Sequence, residues 1–166
     1  MTLAKIAGLA ACLAVGAPAL ATAGATPHEA VTEEDGKFFN AEEMPTFMVL
    51  EDGTVDWYTF SGFRRYHAEC HVCHGPDGQG SSYAPGLASS VMRLDYFEFV
   101  GIVASGYEKG NSVMPAFGTN RNVMCYVDDL YVYLRAVGSG AIPRGRPANR
   151  MDKPESAIAF ENDCMG

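Results

Sequence analysis

The feature that most constrains this chain is the stretch Cys70-His71-Val72-Cys73-His74. Three chemistries use a Cys-x-x-Cys pair: dithiol exchange, zinc ligation and covalent haem attachment. The histidine directly behind the second cysteine decides between them. In the haem reading, Cys70 and Cys73 add as thioethers across the two vinyl groups of one porphyrin, and His74 is the proximal iron ligand. A thioredoxin-like pair needs a strand before it and a helix after it, whereas here a helical run precedes and a Gly-rich loop follows. Zinc needs a second ligand pair at similar spacing, and Cys12, Cys125 and Cys164 each stand alone. His71 reads as a bystander on the outer face.

Haem attachment of this kind belongs to exported chains, so the N-terminus bears on it. Lys5 precedes an apolar run, Ile6 to Leu20, that ends in Ala19-Leu20-Ala21 and Ala21-Thr22-Ala23. Residues 1–23 therefore read as a cleaved secretory signal, which places the mature chain in the periplasm. The run is too weakly apolar for a membrane anchor, and no later segment approaches a span, so stable membrane insertion is not expected. Cys12 falls inside the signal. With Cys70 and Cys73 committed to haem, Cys125 and Cys164 remain as one pair in an oxidising compartment. A disulfide is the natural reading, with two buried free thiols as the alternative.

Charge is unevenly distributed. The formal net charge is −8, and residues 24–56 carry nine acids (Glu29, Glu33, Glu34, Asp35, Glu42, Glu43, Glu51, Asp52 and Asp56) against Lys37 alone. The C-terminal stretch with Arg144, Arg146, Arg150 and Lys153 is locally basic. This balance argues against nucleic acid as a partner and for a basic protein surface, through steering of encounter. A solvated arm kept for solubility is the alternative, as is an arm folded back on the tail arginines.

The pattern along the chain predicts four parts: the signal, an acidic extension over 24–57, a haem domain over 58–138 and a tail over 139–166. Residues 24–45 read as an irregular or partly ordered arm, and 46–58 as a small hairpin turning at Asp52-Gly53. A helix is predicted from about Tyr58 to Cys70, with Phe60, Phe63, Tyr66 and Cys70 on one face. Residues 75–90 read as a loop rich in Gly, Pro and Ser. Asp95 and Glu98 form a capping box for a helix to about Ser105. A turn region, 106–120, contains Met114-Pro115, and a last helix runs from about Asn122 to Val137. Residues 141–166 show no clear periodicity.

This order resembles a class I cytochrome c over about Tyr58 to Val137, on the strength of Cys70-x-x-Cys73-His74 and of Met114-Pro115 in a loop between two helices. The resemblance implies a mainly α fold around one covalent haem c. Gly62, Tyr66 and Cys70 look like the small-aromatic face of the family's first helix, and Tyr131 and Leu134 like its counterpart on the last. Met114 is the candidate sixth ligand: it lies in a loop immediately before a proline, forty residues past His74, and a thioether opposite imidazole suits a one-electron carrier. Pro85, in Ala84-Pro85-Gly86, matches the family's proline whose carbonyl accepts from the proximal histidine's other nitrogen, although turn prolines are common.

The four-cysteine pattern is similar to that of cytochromes of methanol metabolism, the cytochrome cL-like electron acceptors of pyrroloquinoline quinone (PQQ) methanol dehydrogenases. The resemblance implies a PQQ-dependent alcohol or methanol dehydrogenase as donor, and another c-type cytochrome or an oxidase as acceptor. Some cytochromes of that type carry calcium near the haem, but no ligand cluster in this sequence is assigned to one. A haem peroxidase and a haem gas sensor are the competing functions. Both need an open or labile sixth position, against which Met114 argues.

Overall fold

The computed structural model describes residues 30–166, so the expected signal segment and residues 24–29 lie outside the described residues. The chain first lays down a small antiparallel sheet, β1 (Thr32–Glu34), β2 (Lys37–Phe39) and β3 (Pro45–Thr46), in the order β1-β2-β3. Of the expected irregular or partly ordered arm, the described part is ordered as these three short strands. Asp35 and Gly36 form the β1–β2 turn at φ 51° and 81°, and Phe38 and Phe39 half-bury their rings.

The predicted hairpin over 46–58 shrinks to one antiparallel bridge, Val49 to Val55, around the turn at Asp52-Gly53. Its second strand is cut short because Asp56 starts a helix instead. The Asp56 carboxylate accepts from Thr59 N (2.8 Å), Thr59 Oγ1 (2.6 Å) and Met48 N (2.8 Å), capping α1 (Trp57–Glu69). Val55, fully buried, also makes a parallel bridge with Arg150 and accepts from Met151 N at 2.8 Å, which fastens the C-terminal segment to the start of α1.

Helix α2 (His71–His74) and a 3₁₀ turn (Pro76–Gly78) follow α1, then α3 (Leu87–Ser90). Asp95 accepts from Glu98 N while Glu98 accepts from Asp95 N, a complete capping box at the start of α4 (Tyr96–Ser105). The region read only as turns contains an antiparallel hairpin, β4 (Tyr107–Lys109) and β5 (Ser112–Met114), closed by the two residues Gly110-Asn111. The last predicted helix is two, α5 (Arg121–Met124) and α6 (Val127–Gly138). They part at Tyr126, whose backbone leaves the helical region (φ −131°, ψ 22°) and whose ring lies 3.5 Å from the Arg65 guanidinium. The aperiodic tail contains a further helix, α7 (Glu155–Met165).

The core is built where α1 crosses α6. A Cβ at Gly62 would lie 1.9 Å from the Asp129 carbonyl oxygen and 2.7 Å from Tyr133 Cβ, so only glycine permits this approach. The expected small-aromatic face on α1 is present, but its partners are Asp129 and Tyr133 in place of the anticipated Tyr131 and Leu134. Tyr131 instead meets Tyr96 and Phe99 of α4 at 5.2 and 5.3 Å, and Leu134 lies under Gly78.

Asp129 sits at this crossing and is 6% exposed. Burial pushes its carboxyl from 3.8 up to about 7, against the opposing pull of the Ser61 hydroxyl and the Lys37 ammonium. Within that window the folded chain holds a proton that the unfolded chain releases. Stability therefore falls as pH rises through it, by at most about 1.4 kcal/mol per pH unit for one proton. Asp129→Asn is expected to remove this component. Denaturant midpoints of wild type and variant, measured near pH 5 and near pH 7, check it, and equal pH slopes for the two proteins would refute it.

Candidate functional site

Helix α1 ends at Cys70, and α2 carries Cys73 and His74 one turn further on. Cys70 is half-buried against the core and Cys73 is exposed, and neither is part of a disulfide. Burial, reinforced by the Glu69 and Cys73 charges, pushes the Cys70 thiol up to about 12. Dithiol exchange needs the opposite, a thiol whose pKa is lowered.

His74 is 7% exposed, and its Nδ1 lies 2.9 Å from the Pro85 carbonyl oxygen. A carbonyl only accepts, so Nδ1 carries the proton and Nε2 keeps its lone pair free for a metal. The loop that brings Pro85 to this place depends on glycine. Gly75 stands at φ 72°, ψ 168°, and a Cβ there would lie 2.2 Å from the Gly80 carbonyl oxygen. Gly80 N donates to the His74 carbonyl at 2.7 Å, Tyr66 Oη donates to the Gly75 carbonyl at 2.6 Å, and Ser81 Oγ donates to the Cys73 carbonyl.

Two cysteines on one short helical segment, neither in a disulfide, followed by a histidine with an available Nε2, fit covalent haem c. Met114 lies elsewhere in the chain. It ends β5, opposite Tyr107 of β4, and is half-buried against the core. The structure thus supports His74 on the Gly75–Gly86 loop and Met114 on the β4–β5 hairpin.

Comparisons with known proteins agree with this architecture. Residues 60–134 match the family described as cytochrome c oxidase, cbb3-type, subunit III. The chain is 35% identical over 102 residues to cytochrome c-555 of Methylococcus capsulatus, covering 61% of this chain and 76% of that one. The chain belongs to the c-type cytochromes. It is also 57% identical over 136 residues to cytochrome c-553I of Paracoccus denitrificans, across 80% of this chain and 60% of that protein's length. The crystal structure of the c-type cytochrome XoxG from Methylobacterium extorquens AM1 superposes with a TM-score of 0.80 at 60% identity, covering 83% of this chain and 87% of that one. The fold is that of a class I cytochrome c, and membership implies covalently attached haem c.

In this cytochrome a buried polar cluster that sequence reasoning missed backs the proximal loop. Asp77 stands at φ 55° and is 5% exposed. Its carboxylate accepts from Tyr133 Oη at 3.2 Å and lies 3.4 Å from His67 Nε2 and 3.5 Å from Arg144 Nε. Pro76-Asp77-Gly78 signalled a turn, but nothing local in the sequence showed that the turn would face inward onto α1 and α6. Among the described residues no group of three or more His, Cys, Asp or Glu side chains could hold a metal ion, and no helix is long and apolar enough to cross a membrane.

Cys125, at the end of α5, and Cys164, in α7, are joined by a disulfide that closes a span of 39 residues. Arg121 adds a hydrogen bond of 2.9 Å to the Met165 carbonyl. Replacing both cysteines by serine is expected to cost on the order of 4 kcal/mol or less by loop-closure entropy. The haem spectrum should stay unchanged, since the link joins α7 to the end of α5 and includes no residue of the Cys70–His74 segment. Thermal unfolding with parallel absorption spectra checks both parts, and an unshifted midpoint would show that the link adds nothing to stability.

Proposed function

We propose that this cytochrome is a periplasmic carrier of single electrons with one haem c, which Cys70 and Cys73 would hold covalently and His74 and Met114 would ligate at the iron. It would take electrons from a PQQ-dependent alcohol or methanol dehydrogenase and pass them to another c-type cytochrome or an oxidase. The observation that carries the reading is the pairing of His74 Nδ1 with the Pro85 carbonyl. It fixes the tautomer and the ring orientation, as a ligand that must not reorganise between redox states requires. Haem c, when bound, supplies an iron that takes up and releases one electron. The protein holds the imidazole, presents a thioether from a separate hairpin, and packs aromatic and aliphatic side chains behind both. The four-cysteine pattern, two thiols in the motif and two in the α5–α7 link, supports the dehydrogenase as donor.

Met114→Ala tests the ligand set. The oxidised protein should lose its near-infrared methionine-to-iron band, bind carbon monoxide or imidazole readily and show a lowered potential. An unchanged spectrum would remove Met114 from the ligand set.

Stopped-flow reduction by quinoprotein alcohol dehydrogenases tests the donor, and the acidic arm sharpens that test. Glu33 and Glu34 lie on β1, which is exposed. The arm touches the tail through Ser156 Oγ, which donates to the Asp35 carbonyl (2.7 Å), and through the closeness of Gly36 to Pro154. Arg144 pairs with Asp77, while Arg146 and Arg150 lie over the Phe60 ring at 5.0 and 5.3 Å. These arginine contacts leave the arm's carboxylates available for steering. Replacing Glu33, Glu34 and Asp35 by their amides should slow reduction at low salt and flatten its ionic-strength dependence, because exposed charges are screened over roughly 8 Å at physiological salt. Reduction by no such dehydrogenase, at any salt, would overturn the donor.

A further inference from the structure

The β4–β5 hairpin that carries Met114 is anchored through the end of α4. The last turn of a helix leaves its carbonyls without partners in the helix. Here those of α4 are used in series. Ile102's carbonyl accepts from Gly106 N at 2.9 Å, Val103's from Phe117 N at 3.0 Å and Ala104's from Gly118 N at 2.9 Å. The chain therefore leaves α4 at Gly106, turns through the hairpin and returns at Phe117 and Gly118 to the same helical turn. Met114, Pro115 and Ala116 are enclosed between these two ties.

Gly106 closes this enclosure. Its backbone lies at φ 75°, ψ −179°, a region open essentially to glycine alone. A Cβ there would lie 2.6 Å from the Met114 carbonyl oxygen, 2.9 Å from Ala116 N and 3.0 Å from the Pro115 carbonyl carbon. All three atoms are backbone, so no flexible side chain can move aside. The peptide units of Met114 and Pro115 rest directly against the glycine. Gly110, at the tip of the same hairpin, makes a natural comparison: it too has positive φ (60°), but a Cβ there would meet nothing within 4 Å.

We infer that Gly106 is a positioning residue for the sixth iron ligand, holding the Met114 backbone against the C-terminal end of α4 so that the thioether is presented at a fixed place. The inference rests on the reading of Met114 as that ligand. Helix α4 can serve as the reference because Phe99 and Tyr96 pack on Tyr131 of α6, and Tyr96 Oη donates to Asp128. A methyl group at position 106 must push the Met114–Ala116 backbone off α4 and so raise the fraction of molecules in which the thioether is detached.

The test uses the oxidised and reduced holoprotein of Gly106→Ala, Gly110→Ala and Met114→Ala. Gly106→Ala should weaken the near-infrared methionine-to-iron band, lower the potential toward that of Met114→Ala and tighten imidazole binding by about tenfold or more, since a larger fraction of the protein is competent to bind it. Gly110→Ala should keep the wild-type band, potential and imidazole affinity. A Gly106→Ala protein with all three at wild-type values, even one that melts earlier, overturns the inference. Equal losses in Gly110→Ala also overturn it, because general strain in the hairpin would then be the cause. If Gly106→Ala yields no holoprotein, Gly118→Ala replaces it, where a Cβ would lie 2.9 Å from the Ala104 carbonyl oxygen on the return tie. A weakened band there supports the inference and an intact one overturns it. Should Met114→Ala itself leave the spectrum unchanged, the ligand reading fails and takes this inference with it, a result distinct from every outcome at Gly106.

Discussion

The structure depends first on the close crossing of α1 over α6, where Gly62 rests against the Asp129 carbonyl and Tyr133 Cβ. A larger residue would separate the two helices, and their separation sets the position of everything that follows α1. Because the crossing is tight, Tyr66 and Tyr133 pack at 5.6 Å and both end fully buried. Their hydroxyls then reach the proximal loop, Tyr66 at the Gly75 carbonyl and Tyr133 at the Asp77 carboxylate. The helix pair thus acts as a template: it orients α2 at one end and receives the loop that holds His74.

The supports for His74 and Met114 are built alike, although they come from different parts of the chain. In each, a glycine with positive φ lets backbone atoms meet at distances that a Cβ would forbid, Gly75 against Gly80 and Gly106 against Met114. In each, the hydrogen bonds that fix the segment run through backbone carbonyls: Pro85's accepts from the imidazole, and those of Val103 and Ala104 accept from the residues that follow Met114. Backbone contacts of this kind stiffen a site more than contacts between long side chains, because less rotamer freedom has to be frozen. For a carrier whose coordination should change little between oxidation states, that stiffness is a functional property.

The extensions on either side of the haem-binding region serve the same helix pair. Val55 joins the start of α1 to the tail through Asn149 and Met151. Arg150 and Lys153 lie over the Trp57 ring at 4.7 and 5.3 Å, and the Cys125–Cys164 link fastens α7 beside α5. Lys37 of β2 reaches Asp128 at 3.1 Å and stands 5.3 Å from the Tyr58 ring centre, so the acidic arm is tied down by its single cation. The first turn of α1, Trp57 to Phe60, is buried on every side because these segments cover it.

Haem c was legible in the sequence by itself, since Cys70 to His74 form a Cys-x-x-Cys-His run, a signal confined to five consecutive residues. So were the α1 face and the Asp95–Glu98 cap, because helical spacing and capping are local properties. The β4–β5 hairpin had a local signal in Gly110-Asn111 between two short extended runs, but Met114-Pro115 drew the reading toward a ligand loop. What local pattern could not show was set by contacts between distant segments. The arm became a sheet because β2 lies beside α6 through Lys37 and Asp128, and the tail became helical where Cys164 meets Cys125. Asp77 turned inward because Tyr133, 56 residues away, donates to it. Sequence alone determined which residues can hold a haem; only the tertiary structure decided what holds those residues still, because that work falls to backbone atoms and buried pairs whose partners lie far off along the chain.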